Sequence, residues 1–219
     1  MLAVGLAVVV SSRSDAGGVT KSTKASKASK ASKTNSTAST KPGAPTPAPT
    51  AKKPAAKTVK FNIDVPSEAP EIETGLEWIN ASPQTLAGLR GKVVLVNFWT
   101  LGCINCQRTL PHVKELYAKY HAKGFEIIGV HSPEFDYEKE LGNVRKAVAD
   151  EGIAWPVVQD NGFVTWKRYR NRFWPAFYYL DKTGKLRHFH AGEGAYAQQD
   201  QVVAALLAEP ASPAPVTGP

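Results

Sequence analysis

The sequence predicts an α/β domain: a central mixed sheet flanked by helices. Three observations predict it. Val93-Val94-Leu95-Val96-Asn97-Phe98-Trp99 and Phe125-Glu126-Ile127-Ile128-Gly129-Val130 are near-continuous apolar runs rich in β-branched residues. That is the pattern of strands buried on both faces of a parallel sheet. Between them Leu110, Val113, Leu116, Tyr117 and Tyr120 recur at helical spacing. Strand and helix patterns then alternate through a stretch of about 150 residues, long enough to bury a core without structural disulfides.

Taken in order, Phe61, Ile63 and Val65 alternate as in a strand. Trp78 to Gly91 reads as a short excursion and turn before the first buried strand. After the second buried strand, Ser132-Pro133-Glu134 predicts a helix start, with Ser as N-cap and Pro at the first helical position. That helix is expected to run to about Asp150, with Gly152 ending it. Trp155 to Gln159 reads as a short strand, and Phe163 to Tyr169 as a helical turn. Ala176 to Leu180 and Leu186 to His190 are strands joined by Asp181-Lys182-Thr183-Gly184, a hairpin signal. Ala195 to Glu209 closes the domain as a helix with Val202, Val203, Leu206 and Leu207 on one face. The folded part is thus residues 61–209, and the Pro-rich 210–219 is a disordered tail.

The charge is confined to the N-terminal extension. Of the formal +8, residues 1–60 supply +10 and residues 61–219 supply −2. No basic surface for nucleic acid is therefore implied for the domain. Met1 to Val10 is apolar or Gly throughout. Ten residues fall short of the about 20 needed to span a bilayer, and they match the apolar region of an export signal or the remnant of an anchor. In residues 11–60 Lys21, Lys24, Lys27, Lys30 and Lys33 repeat at period three among Ala and Ser, and Pro42, Pro45, Pro47, Pro49 and Pro54 follow. Neither pattern builds an apolar face, so this stretch is expected to be a disordered linker. Membrane contact, on this reading, is made only through the N-terminal segment.

Both cysteines stand at the junction between the first buried strand and its helix, in Cys103-Ile104-Asn105-Cys106. Residues three apart in a first helical turn share a face, with β-carbons about 5–6 Å apart, close enough for a disulfide. A helix N-terminus favours an anion, and thiolate is the reactive form of the group. Cys103 is accordingly the candidate attacking thiol and Cys106 the resolving thiol. A structural bridge here would close only four residues and gain about 2 kcal/mol, against about 4.7 for a hundred-residue loop. A zinc site would need ligands beyond two thiols. His112, His121 and His131 are available, but none stands at a metal-ligand spacing from the pair. The pattern implies no cofactor. A thiol-based copper chaperone and a redox-inert binding module are the alternatives.

Lys92 to Pro111, with its strand, C-x-x-C, helix and proline five residues after Cys106, resembles thioredoxin. The inserted α–β unit after the second strand resembles the TlpA/redoxin branch. Gly129-Val130-His131-Ser132-Pro133-Glu134-Phe135, Asn171 to Tyr178, and Gly192-Glu193-Gly194-Ala195-Tyr196 are similar to the thioredoxin-like domain of DipZ-type thiol-disulfide oxidoreductases. The resemblance covers roughly residues 65–208. It implies an extracytoplasmic protein whose partners are disulfide-bearing or thiol proteins of the cell envelope. In DipZ the domain is fused to a CcdA-like membrane electron donor, so here a separate donor of that type is implied. It implies a cis peptide at Trp174-Pro175 facing the cysteines, with Trp174, Pro175 and Trp99 contacting substrate.

One departure stands out. Thioredoxin carries a buried aspartate six residues before its first cysteine, and this chain has Asn97 there. Asn cannot act as a general base. Glu134 is the candidate replacement, because a carboxylate buried beside thiols would have a raised pKa suited to proton transfer. His188 and His190 share a strand face and read as a solvated edge. Lys167, Arg168, Arg170 and Arg172 read as a solvated basic face near Pro175 or as a surface steering acidic partners.

Overall fold

The computed structural model describes residues 59–63 and 67–210. The expected apolar start, nearly all of the linker and the tail lie outside these residues. Seven strands and four helices follow one another as β1 (Ser67–Glu68), β2 (Trp78–Ile79), β3 (Val93–Trp99), α1 (Ile104–Tyr120), β4 (Phe125–His131), α2 (Leu141–Asp150), β5 (Val157–Gln159), α3 (Val164–Arg168), β6 (Ala176–Leu180), β7 (Lys185–Ala191) and α4 (Tyr196–Ala208). They form one sheet in the order β1-β7-β6-β3-β4-β5-β2. β3, β4 and β5 are parallel, and the remaining pairings are antiparallel. A parallel pair needs a long crossover, which α1 provides between β3 and β4. The unit α2–β5 is the inserted one. This is the thioredoxin-like architecture.

Every residue of β3 and β4 is buried. Leu95, Ile127, Phe177 and Tyr179 face a core closed by Val113 and Leu116 of α1, Val144 and Val148 of α2, and Val202, Val203 and Leu206 of α4. Val94, Val96, Phe98, Ile128 and Val130 face the other side, where Ile72, Leu86, Leu89 and Tyr169 cover them. The second face is therefore covered largely by irregular chain and the short α3, not by long helices. Phe98 sits edge-on to Trp166, Tyr169 and Tyr178 at 5.4–5.7 Å, so aromatic packing substitutes there for a helix.

Three local expectations are corrected. Phe61 and Ile63 are not in a strand. The Asn62 side chain takes the place of strand pairing along β7, donating to Phe189 O at 2.7 Å and accepting from Phe189 N at 2.9 Å. The helix expected from Ser132 begins instead at Leu141, after a 3-10 turn at Asp136–Lys139. Ser132 does not cap it. Its hydroxyl is buried without a partner among the described residues, and its N–H extends the sheet by donating to Trp99 O at 3.1 Å. Finally, His188 is buried and accepts from Asn62 N at 3.3 Å, so it is not part of a solvated edge.

Other boundaries follow from local chemistry. Gly152 takes the left-handed conformation after α2, with φ +57°. Asp160 holds the start of α3 by accepting from the N–H groups of Val164, Thr165 and Trp166. In the β6–β7 hairpin Asp181 accepts from Thr183 and Lys185, and Gly184 takes φ +78°.

Candidate active site

β3 carries the chain out of the sheet at Trp99, and α1 begins five residues later. Cys103 is the N-cap of α1, and its sulfur accepts the Cys106 N–H at 3.2 Å. The sulfur thus occupies the place usually held by a Ser or Asp oxygen, aimed at the unpaired donors of the first turn. The Cys106 thiol also hydrogen-bonds it. That bond, with the Cys106 and Asn105 backbone N–H groups, outweighs partial burial and lowers the Cys103 pKa from 9.0 to about 7. Cys106 is buried, and burial together with its bond to Cys103 drives its pKa far upward. Both are free thiols here. One sulfur is half-exposed and prone to ionise; the other is held protonated a turn deeper.

This asymmetry has a measurable consequence. At pH 7 a pKa of about 7 makes roughly half the Cys103 population thiolate, against roughly 1% at pKa 9, while intrinsic nucleophilicity falls about eightfold. Alkylation of Cys103 by iodoacetamide should be about sixfold faster at pH 7 than for an unperturbed thiol. Its rate should level off above about pH 7, with Cys106 unmodified; a midpoint near 9 would contradict the geometry.

The structure separates the two glutamates of the segment following β4. Glu134, expected to be buried beside the thiols, is exposed. The buried carboxylate is Glu138, with no exposed surface. It accepts from Gly102 N at 2.8 Å, Glu134 N at 2.5 Å and Phe135 N at 3.0 Å. Burial alone would raise its pKa, but the Phe135 N–H, the Thr100 hydroxyl and the Glu134 and Gly102 N–H groups prevail and lower it. Glu138 therefore ties the loop after β4 to the residue preceding Cys103. A β-carbon on Gly102 would stand 2.4 Å from Tyr137 Oη and 2.6 Å from Glu138 Oε1, so a side chain here would displace both groups. Sequence offered two glutamates four apart; only the fold of the loop selects between them.

His131 ends β4 and is fully buried. Its Nε2 accepts from Leu101 N at 3.4 Å and lies 3.3 Å from Thr100 Oγ1, and its ring meets Trp99 edge-on at 5.1 Å. Burial lowers its pKa to about 4. The folded state therefore refuses a proton that the unfolded chain accepts near 6.5. Stability is full above about pH 6.5 and falls as pH drops towards 4, by about 3 kcal/mol in total. Urea unfolding at pH 7 and pH 4.5 should show this loss in the wild type and its reduction in His131→Gln.

The Trp174-Pro175 peptide bond is cis. Pro175 is buried, and Trp174 is half-buried on Trp166, with ring centroids 4.4 Å apart. The Trp174 indole N–H donates to Ser132 O at 3.0 Å, which pins the proline loop to the segment after β4. Trp99 is buried, so it contributes to the wall behind the site rather than to its surface. Asn97 donates to Ala176 O at 3.2 Å and so braces β6. Around the cysteines Ile104, Phe135, Tyr137 and Phe173 are exposed, and the Phe135 and Tyr137 rings stack at 6.0 Å. In the nearby basic cluster, Arg168 pairs with Glu73 and donates to Glu71 O at 3.2 Å, so it is not a free cation. No group of three or more His, Cys, Asp or Glu able to hold a metal occurs among the described residues.

The AhpC/TSA family matches residues 65–189. Over 142 residues the chain is 47% identical to Protein DipZ of Mycobacterium bovis, covering 64% of this chain and 20% of that protein. The chain thus spans about a fifth of the length of that relative. It is 33% identical to the thiol-disulfide oxidoreductase ResA of Bacillus thuringiensis, covering 61% of this chain and 73% of ResA. A crystal structure of a thioredoxin-like superfamily protein matches with a TM-score of 0.62 at 25% identity, covering 66% of this chain and 99% of that one. By sequence, fold and the dithiol at its helix end, the chain belongs to the AhpC/TSA family, among its thioredoxin-like thiol-disulfide oxidoreductases.

Proposed function

We propose that the protein reduces protein disulfides outside the cytoplasm. The observation that carries the direction is the Cys103 pKa of about 7. A strongly oxidising dithiol stabilises its thiolate far more, with a pKa near about 3.5, whereas thioredoxin sits near about 7. In the first step the Cys103 thiolate attacks a partner disulfide, forming Cys103–S–S–R and expelling the other partner sulfur as thiolate. Cys106 then loses its proton and attacks Cys103 Sγ. The products are the Cys103–Cys106 disulfide and the second partner thiolate. Two electrons pass from the dithiol to the substrate, and a dithiol donor restores the pair.

The exposed Ile104, Phe135, Tyr137 and Phe173 fit an extended, partly apolar cysteine-bearing segment lying against Trp174-Pro175. Main-chain contacts beside Pro175 would supply affinity and the aromatic rim selectivity. The apolar run at residues 1–10 and the Lys- and Pro-rich stretch after it support export and a tether. Among the described residues no helix is long and apolar enough to cross a membrane. Equilibration with glutathione tests the direction. A reduction potential near about −270 mV supports a reductant; one near about −120 mV makes the protein an oxidant. N-terminal sequencing of the mature protein tests export, and an intact cytoplasmic Met1 would refute it.

A further inference from the structure

A cavity of about 220 Å³ lies behind the dithiol, between the sheet and the helices α1 and α2. Cys106, Thr109 and Asn97 form part of its wall, and Asp150 and Glu151, both exposed, stand at its rim. The space would hold several waters at about 30 Å³ each. Trp99 and Trp155 also line it, at 8% and 2% exposure, and among the described residues neither indole N–H has a hydrogen-bond partner. The two nitrogens converge: each is 3.1 Å from the point that a β-carbon on Gly129 would occupy. Gly129 is thus the position where a side chain would crowd both donors. Two buried donors facing one space call for an acceptor oxygen between them.

Resolution makes a demand on this part of the molecule. Cys106–SH becomes the attacking thiolate, so one proton must leave a buried sulfur for each substrate reduced. The buried side chains beside it offer no free base. Asn97 is not a base, and its amide is bonded to Ala176 O. Glu134 is exposed. Glu138 has its two oxygens engaged by three backbone N–H donors.

We propose that this cavity holds water anchored by the Trp99 and Trp155 indole N–H groups, and that this water carries the Cys106 proton to solvent past Asp150 and Glu151. The inference rests on the dithiol-exchange reading. Water accepts from both indoles and keeps its own protons free to hydrogen-bond the thiol and its neighbours. In the step, the S–H bond of Cys106 breaks, the proton passes along the water to bulk, and the new S–S bond expels the substrate thiolate. The buried base that thioredoxin places at the Asn97 position is then not required.

The test is the resolution step, timed separately from attack in a single turnover with a disulfide-bonded peptide. In the wild type, resolution should slow about threefold in D2O, with a curved dependence on deuterium fraction that reports more than one moving proton. Trp155→Phe, which keeps most of the ring and removes one donor, and Ala147→Leu, which fills the wall beside Asp150, should each slow resolution about tenfold. Attack by Cys103, read in the same run, should keep its rate. A wild type that exchanges with no isotope effect on resolution overturns the water path and leaves the oxidoreductase reading intact. So do folded variants that resolve at the wild-type rate. A wild type that forms no mixed disulfide overturns the exchange reading itself.

Discussion

Cys103→Ser should lose disulfide reduction by at least about a thousandfold, because a hydroxyl supplies no thiolate near neutral pH. Cys106→Ser should stop the reaction halfway: it still attacks, then remains as a mixed disulfide visible by mass and on a non-reducing gel. The two variants distinguish roles that composition treats as equal. A finer comparison follows from the bond between the two sulfurs. The Cys106 thiol is the largest influence lowering the Cys103 pKa. A serine hydroxyl can still donate to the Cys103 sulfur, whereas alanine cannot. Cys106→Ser should therefore keep the Cys103 midpoint near 7, and Cys106→Ala should move it up towards 9. Equal midpoints in the two variants would show that the helix end alone lowers the pKa.

Glu138→Leu should be the most destabilising single change near the site. It leaves the part-buried N–H groups of Gly102, Glu134 and Phe135 without their acceptor. Bonds to a charged acceptor contribute about 1.5–3 kcal/mol each, and partial rearrangement of the loop recovers some of the loss, so the expected cost is about 4 kcal/mol. For a domain of this size that lowers the melting temperature by about 12 °C. Glu138→Gln keeps one acceptor oxygen but turns an NH2 towards a donor, and should cost about half as much. Acid should mimic the substitution. The Glu138 pKa is held below its ordinary value of 4.5. Its stabilisation is therefore complete above the unfolded pKa and is lost as pH falls below about 4.5. That window lies below the one set by His131, so chemical denaturation at pH 7, 5 and 3 separates them. If Glu138→Leu unfolds at the wild-type temperature, the carboxylate is not holding the loop to Gly102.

The cysteine pair and the elements around it were legible because they depend on short-range patterns. β3 and β4 read as apolar runs bounded by polar residues, and α1 reads from Leu110 to Tyr120 as a single stripe. The β6–β7 hairpin read from Asp181 and Gly184. The start of α2 was misread because Ser132-Pro133-Glu134 has the composition of a helix N-terminus. Glu138 overrode it by turning inward and taking the Glu134 and Phe135 N–H groups for itself. Local capping preference is worth about 1 kcal/mol, and several charge-assisted bonds to one buried carboxylate exceed it. The strand expected at Phe61 was misread for a similar reason, since the Asn62 side chain supplies the edge hydrogen bonds of β7.

Sequence alone determined the chemistry available: two thiols one helical turn apart, at the end of a buried strand, with Asn97 in place of a base. That information is local, because spacing and helix-end electrostatics act within a few residues. Only the tertiary structure decided which carboxylate is buried, that His131 meets Thr100 and Leu101, and that the Trp99 and Trp155 indole nitrogens converge over Gly129. Those groups come from β3, β4, the loop after β4 and the bend leading into β5. Their desolvation and hydrogen bonding exist only once the sheet brings them together.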